Sequence, residues 1–161
     1  MKGPSVFDAY LADETASAAA FTDDLWFRSG DLACMDADGN IRITGRVKDL
    51  INRGGVKFNP VDVEVMIAGH PKVAQCAIVP MPDPVLGERA CVCIVPRDAA
   101  QPPRLEEICG LLQAQKVAKT RWPEHLLLVT EMPMTPTRKI IKGELTRLIT
   151  TRLAEMARDL D

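Results

Sequence analysis

Three short stretches carry residues whose types and spacing could do chemistry. "MPMTPTRKIIKGEL", Met132 to Leu145, places two prolines and two threonines ahead of Arg138 and Lys139. The apolar spacing that follows predicts a helix opened by these cations, with Thr137 as its N-cap. A helix N-terminus carries roughly half a positive charge, so cations are unfavourable in its first turn. They make sense there if an anion is recruited, because free N–H groups and an ammonium together suit a phosphate. The plain alternative is a solvent-facing lysine, and Gly143, costing about 1 kcal/mol inside a helix, allows the regular helix to begin later.

The second stretch, "TGRVKDLINRGG", is cation-rich and ends in the pair Gly54-Gly55, which permits close backbone approach to a ligand. Its plain reading is a solvated flexible connector. In the third, "FRSGDL", Gly30 allows an unusual backbone angle and exposes Asp31 at the entrance to a hairpin, where a lone Asp commonly serves as a turn cap.

These groups must be positioned by elements that the 161 residues can build. A composition of 47% hydrophobic and 26% charged residues fits one soluble core of domain size. The net charge of −2 offers no global attraction for nucleic acid or an anionic membrane, so any anion site must be local. Five cysteines, Cys34, Cys76, Cys91, Cys93 and Cys109, lack zinc-site spacing and read as reduced thiols, and no metal ligand set is expected. No stretch approaches the roughly 20 apolar residues of a membrane span, and a soluble cytoplasmic protein is expected.

The first 25 residues hold five acids against one lysine and only a weak apolar stripe, so residues 1–25 are expected to be poorly ordered. From Leu32, apolar and polar residues alternate about Asp38-Gly39, which predicts a hairpin over 31–45. The stretch "GRVKDLINRGGVKFNP" reads as a basic connector. Asn59 and Pro60 then start a short helix whose apolar face is Val63, Met66 and Ile67, ended by Gly69-His70-Pro71.

"KVAQCAIVPM" and "RACVCIVP" are strands expected to pair across "PDPVLGE". Leu105, Ile108, Leu111 and Leu112 have helical spacing, and His125 to Val129 read as a third strand. Ile141, Leu145, Leu148, Ile149, Leu153 and Met156 stripe a closing helix. The expected fold is therefore α+β: a β-hairpin followed by a small αββαβα domain with helices packed on a three-stranded sheet.

Taken in order, "WFRSGDL", "ITGRVKDLINRGGVKFNPVDVE" and "MTPTRKIIKGEL" resemble the C-terminal signature motifs of the adenylate-forming superfamily. That superfamily comprises acyl- and aryl-CoA synthetases, peptide-synthetase adenylation domains and luciferases, and the likeness runs from about Gly3 to Leu148. The resemblance implies a carboxylic acid activated with ATP and Mg²⁺ to an acyl-adenylate, then transferred to CoA. It also implies two parts. Residues 1–47 would end a large N-terminal domain, and residues 48–161 would form the small C-terminal lid domain.

By position in those motifs, Asp31 would hold the ATP ribose hydroxyls and Arg46 would lie near ribose and phosphates. Lys48 would be the hinge about which the small domain turns, and Gly54 and Gly55 would line the pantetheine channel. Lys139 would bind the substrate carboxylate and α-phosphate oxygens. The family most often has Gly where Arg138 stands and Gly-Trp where Leu25-Trp26 stands. The phosphate loop, acyl pocket and Mg²⁺-binding glutamate belong to the large domain, which is the implied partner, and the chain alone is expected to be inactive.

Two other readings compete. A stand-alone binding or regulatory module could keep the fold without catalysis, although it would have no need of Asp31, Arg46 and Lys139 together. A nucleic-acid binder could use the basic segment between Arg42 and Lys57, but 4% aromatic content leaves few stacking platforms and the net charge is negative. "KDLINRGGVKFNPVDVE" is closer to CoA ligases than to peptide-synthetase domains, and luciferase chemistry is not expected.

Overall fold

The computed structural model describes residues 1–158, leaving out the side chains at 154 and 156–158, so that Met156, placed on the closing stripe by its spacing, lies outside the described residues. The chain divides into two compact units, Met1–Lys48 and Asp49–Asp161.

In the first unit, helix α1 (Glu14–Ala20) is capped by Asp13, whose Oδ1 accepts the Ala16 amide at 2.8 Å. Phe7, Tyr10, Phe21 and Phe27 form a ring cluster with centroids 4.9–5.7 Å apart. Strands β1 (Asp31–Met35) and β2 (Ile41–Arg46) make the antiparallel hairpin that the alternation predicts. Its turn is closed by Asp36, which accepts the Asp38 and Asn40 amides, with Gly39 at φ +83°. A bulge between Leu32 and Ala33 shifts the register, so Asp31 stands opposite Arg46.

The second unit has mixed α and β structure in three layers. Strands β3 (Ile51–Arg53) and β4 (Val56–Phe58) precede helix α2 (Val61–Ala68), strand β5 (Val73–Asp83) and strand β6 (Gly87–Pro96). Helix α3 (Leu105–Ala114), strand β7 (His125–Leu128) and helix α4 (Lys142–Arg158) complete it. The sheet order is β4-β3-β6-β5, and β7 runs parallel to β6 beside it.

The sheet has five strands, against the three expected. The two extra strands lie inside the segment read as a basic connector. Each is three residues long and carries a cation, so neither stands out as an apolar run. They are joined by Gly54 and Gly55 at φ +57° and +87°, the pair of left-handed residues that a two-residue hairpin turn demands. Ile51 and Phe58, directly opposite in register, are both buried.

Every residue of β5 from Ala77 to Val79 and of β6 from Ala90 to Ile94 is buried, because both sheet faces are covered. Ile78, Val92 and Ile94 pack with Val63, Ile67, Ile108 and Leu112 of α2 and α3. Ala77, Val79, Met81, Cys91 and Cys93 face Leu145 and Ile149 of α4. The two cysteines behave there as small apolar side chains.

The start of the last helix corrects a second expectation. It begins at Lys142, so Thr137 caps nothing helical and Arg138 and Lys139 precede the helix. The three residues from Lys139 to Ile141 complete a hairpin-like loop instead.

Candidate functional site

In the first unit, Asp31 and Arg46 are brought together at the open end of the hairpin, with Arg46 Nε 3.0 Å from Asp31 Oδ1. Arg46 also donates to the Ser29 carbonyl, and Ser29 Oγ accepts the Asp31 amide at 3.2 Å. Gly30 at φ +74° makes this corner possible, and its carbonyl accepts the Val47 amide. The guanidinium occupies one carboxylate oxygen, and an ionised carboxylate has further lone pairs for hydroxyl donors. Lys48 is exposed in the 3₁₀ turn Val47–Asp49 and is the last residue of the first unit.

In the second unit, Gly54 and Gly55 form the exposed tip of the β3–β4 hairpin. The tip is fastened at its base. Gly54 donates its amide to the Leu86 carbonyl at 2.9 Å, and Asn52 donates its amide to Glu88 Oε2 at 2.7 Å. Arg53 grips Glu124 with two bonds, Nε to Oε2 at 3.1 Å and Nη2 to Oε1 at 2.8 Å. Arg89 reaches the same carboxylate at 3.2 Å and also pairs with Asp83.

Asp83 in turn accepts the Val85 and Leu86 amides, so the two hairpin tips are joined by one charged network. The bonds from Arg53 hold the Glu124 carboxyl below its usual range against the opposing effect of burial. Asp83 is likewise lowered, chiefly by the Leu86 amide.

Lys139 lies in a loop whose ends are bridged by Met134 and Ile140. Thr135 organises it: its amide donates to the Lys139 carbonyl at 2.9 Å, its carbonyl accepts the Arg138 amide at 2.9 Å, and its Oγ1 accepts the Lys139 amide at 3.1 Å. Arg138 sits at φ +60°, in the left-handed region that favours glycine. A glycine there would adopt that conformation without steric cost.

Residues 132–141 include no Asp or Glu. Lys139 is exposed, and among the described residues its ammonium has no ion-pair or hydrogen-bond partner. Desolvating such a cation against an anion would give it a strong charge-assisted contact.

Sequence reasoning did not find the supporting residues. Glu124 is 71 residues from Arg53 and 35 from Arg89, so no local pattern announces the network. Thr135 was visible, but its role depends on a loop that the helix expectation concealed. Glu64 and Lys142, paired at 2.6 Å, are 78 residues apart. Among the described residues no group of three or more His, Cys, Asp or Glu could hold a metal ion, and no helix is long and apolar enough to cross a membrane.

Comparison with known proteins places this geometry in a family. Residues 62–139 match the model of the AMP-binding enzyme C-terminal domain. The chain is 38% identical over 154 residues to the medium-chain fatty-acid–CoA ligase of Escherichia coli (strain K12), covering 96% of this chain and 27% of that protein. It is 39% identical over 152 residues to the 2,3-dihydroxybenzoate-AMP ligase of Bacillus subtilis (strain 168), covering 94% and 28%.

Among solved structures, ATP-bound MatB from Rhodopseudomonas palustris matches with a TM-score of 0.85 and 30% identity over 92% of this chain and 29% of that one. The chain thus spans only about a quarter of the length of these curated relatives, 27% and 28%. With the domain match, the relatives and the fold in agreement, the chain belongs to the adenylate-forming superfamily and corresponds to the C-terminal part of its acyl- and aryl-CoA ligases.

Proposed function

We propose that this chain supplies the mobile C-terminal part of an ATP-dependent acyl-CoA synthetase, which converts a carboxylic acid, ATP and CoA to acyl-CoA, AMP and pyrophosphate. The observation that carries this is the exposed, unpartnered Lys139 ammonium on a loop with a fixed backbone. A cation held in that way can meet the carboxylate and α-phosphate oxygens of a substrate bound by the large domain. Charge grows on those oxygens as the acid attacks phosphorus, so the ammonium stabilises the transition state more than the ground state.

The other residues support the same division of labour. Asp31 accepts from the ribose hydroxyls while Arg46 holds its carboxylate and faces the phosphate side. In this reading residues 1–47 end the large domain and residues 48–161 form the lid, with Lys48, the last residue of the first compact unit, as the pivot. Gly54 and Gly55 present bare backbone, which suits the narrow pantetheine arm of CoA. Mg²⁺ would offset phosphate charge when bound, and its ligands are expected on the large domain. The complete enzyme is cytoplasmic, and this chain is inactive without the large domain.

The test is a chimera in which this chain replaces the corresponding C-terminal quarter of the Escherichia coli medium-chain ligase. Acid-dependent ATP–pyrophosphate exchange should appear in the chimera and be absent from either part alone. Lys139→Ala should lower it at least 100-fold, about 2.7 kcal/mol of transition-state stabilisation. Transfer of a supplied acyl-adenylate to CoA should persist in that variant. An active chimera indifferent to Lys139→Ala would refute the assignment.

A further inference from the structure

Strand β5 is an edge of its sheet, so its outward N–H and C=O groups have no strand to pair with. At Ile78, itself fully buried, two side chains take that place. The Ile78 amide donates to Glu64 Oε1 at 2.6 Å, and the Ile78 carbonyl accepts from Lys142 Nζ at 3.3 Å. The circuit closes because Lys142 Nζ donates to the same Glu64 Oε1 at 2.6 Å. Only 15% of the Glu64 side chain and 21% of the Lys142 side chain are exposed.

One charged pair therefore joins α2, the middle of β5 and the first residue of α4. Between that clamp and Lys139 lie only Ile140 and Ile141. Ile140 bridges to Met134 and packs on the core, and the Ile141 amide donates to the Pro133 carbonyl at 2.8 Å. The loop's C-terminal arm is thus flanked at one end by a largely buried ion pair and tied along its length by backbone bonds. Lys139 leaves this frame exposed, next to the equally exposed Arg138, and neither has an ion-pair partner among the described residues.

We propose that Glu64 and Lys142 are positioning residues for adenylation: their pair sets where α4 begins and thereby holds the Lys139 loop in the shape that presents its ammonium to the substrate phosphate. The proposal rests on the assignment of Lys139 given above. Neither residue touches substrate. Their removal should loosen the approach angle of Lys139 and slow acyl-adenylate formation, with little effect on the later transfer to CoA, which does not use Lys139. A pair that only held the fold together would affect both half-reactions alike.

The experiment uses the same chimera with Glu64→Gln, Lys142→Met and the conservative Lys142→Arg, each compared with Lys139→Ala. Expected results are a tenfold or greater fall in kcat for ATP–pyrophosphate exchange in Glu64→Gln and Lys142→Met, with KM for ATP within about twofold. CoA transfer from supplied acyl-adenylate should stay within about twofold, and Lys142→Arg should recover most of the exchange rate. Hydrogen exchange of the intact chain should show faster exchange at the amides of Ile78, Arg138, Lys139 and Ile141 in Glu64→Gln.

Equal losses in both half-reactions, or an unchanged exchange rate, would overturn the positioning role. If Lys142→Met fails to fold, Glu64→Gln and Lys142→Arg decide the matter by the same two rates. Should Lys139→Ala prove inactive while Glu64→Gln is fully active, the clamp proposal falls and the function of Lys139 stands. Should Lys139→Ala itself be fully active, the proposed function falls first.

Discussion

The Gly54–Gly55 turn and the loop from Met134 to Ile140 both reverse the chain through left-handed backbone, at +57° and +87° in the first and at +60° in the second. They treat charge in opposite ways. At the glycine turn Arg53 is neutralised by Glu124, which also pairs with Arg89 of the neighbouring strand, Arg89 in turn pairing with Asp83, and the tip itself carries no side chain. In the Lys139 loop the fastening is done by backbone groups and the Thr135 hydroxyl, and no carboxylate lies in the loop to consume the ammonium's charge. A loop that offers space can be held by ion pairs, whereas a loop that offers charge must be held by neutral bonds.

The sharpest way to break this comparison is to deny the first loop its backbone. Gly54→Val forces a β-branched residue into left-handed backbone and brings its Cβ within 3.2 Å of Leu86 Cδ2. The Leu86 side chain can give way, but the backbone penalty of about 2 kcal/mol remains. Gly55→Val shares the positive φ but meets nothing within 4 Å. Chemical denaturation of the chain should therefore show losses of about 2 kcal/mol or more for Gly54→Val and slightly less for Gly55→Val. In the chimera both should slow CoA transfer more than adenylation, the reverse of the pattern expected for Lys139→Ala. Equal effects on both steps would remove the functional contrast between the loops.

A milder probe removes the charge that fastens the glycine turn. Glu124→Gln keeps the size of the side chain but leaves Arg53 and Arg89 with a neutral acceptor. Bonds to charged groups contribute about 1.5–3 kcal/mol, and partial exposure puts the expected loss at about 1–2 kcal/mol. The sign of its pH dependence follows from the lowered carboxyl. Folding favours the ionised form, so the contribution is complete above the ordinary value of 4.5 and fades as pH falls through the lower folded value. The stability gap between native chain and Glu124→Gln should thus narrow on acidification below about pH 4.5, measured by urea denaturation across pH. A gap that widened in acid would show that Glu124 is not held ionised by its arginines.

How much of this was legible depended on sequence distance. The β5 and β6 strands were clear as β-branched apolar runs bounded by proline and glycine, and helix α3 because its apolar residues fall at helical spacing. The Gly54-Gly55 turn carried its own hairpin signal, yet the three-residue strands beside it were hidden by Arg53 and Lys57. The residues of the motifs could be named from order and spacing, but not the network that fastens them, since Arg53 meets Glu124 only after the sheet has formed. The start of α4 was misplaced because threonine and proline imitate a cap. Lys142, the first helical residue, bonds to Glu64 across 78 residues, a contact that no local pattern encodes.

The smallest expected effect tests the Lys139 loop on its own terms. Arg138 at φ +60° bears the steric cost of the left-handed region, about 1–2 kcal/mol for an L-residue. Arg138→Gly removes that cost but frees the unfolded chain, which offsets about 0.4–1 kcal/mol. The balance predicts a net stabilisation of about 0.5 kcal/mol, read as a small rise in the denaturation midpoint with an unchanged slope. Arg138 is exposed and forms no ion pair among the described residues, so little is lost with its side chain. Arg138→Ala separates the two effects, because alanine keeps the strain while deleting the charge, and it should leave stability nearly unchanged. If Arg138→Gly destabilised the chain while Arg138→Ala did not, the left-handed turn would not be the feature that shapes this loop, and Lys139 would owe its position to the Glu64–Lys142 clamp alone.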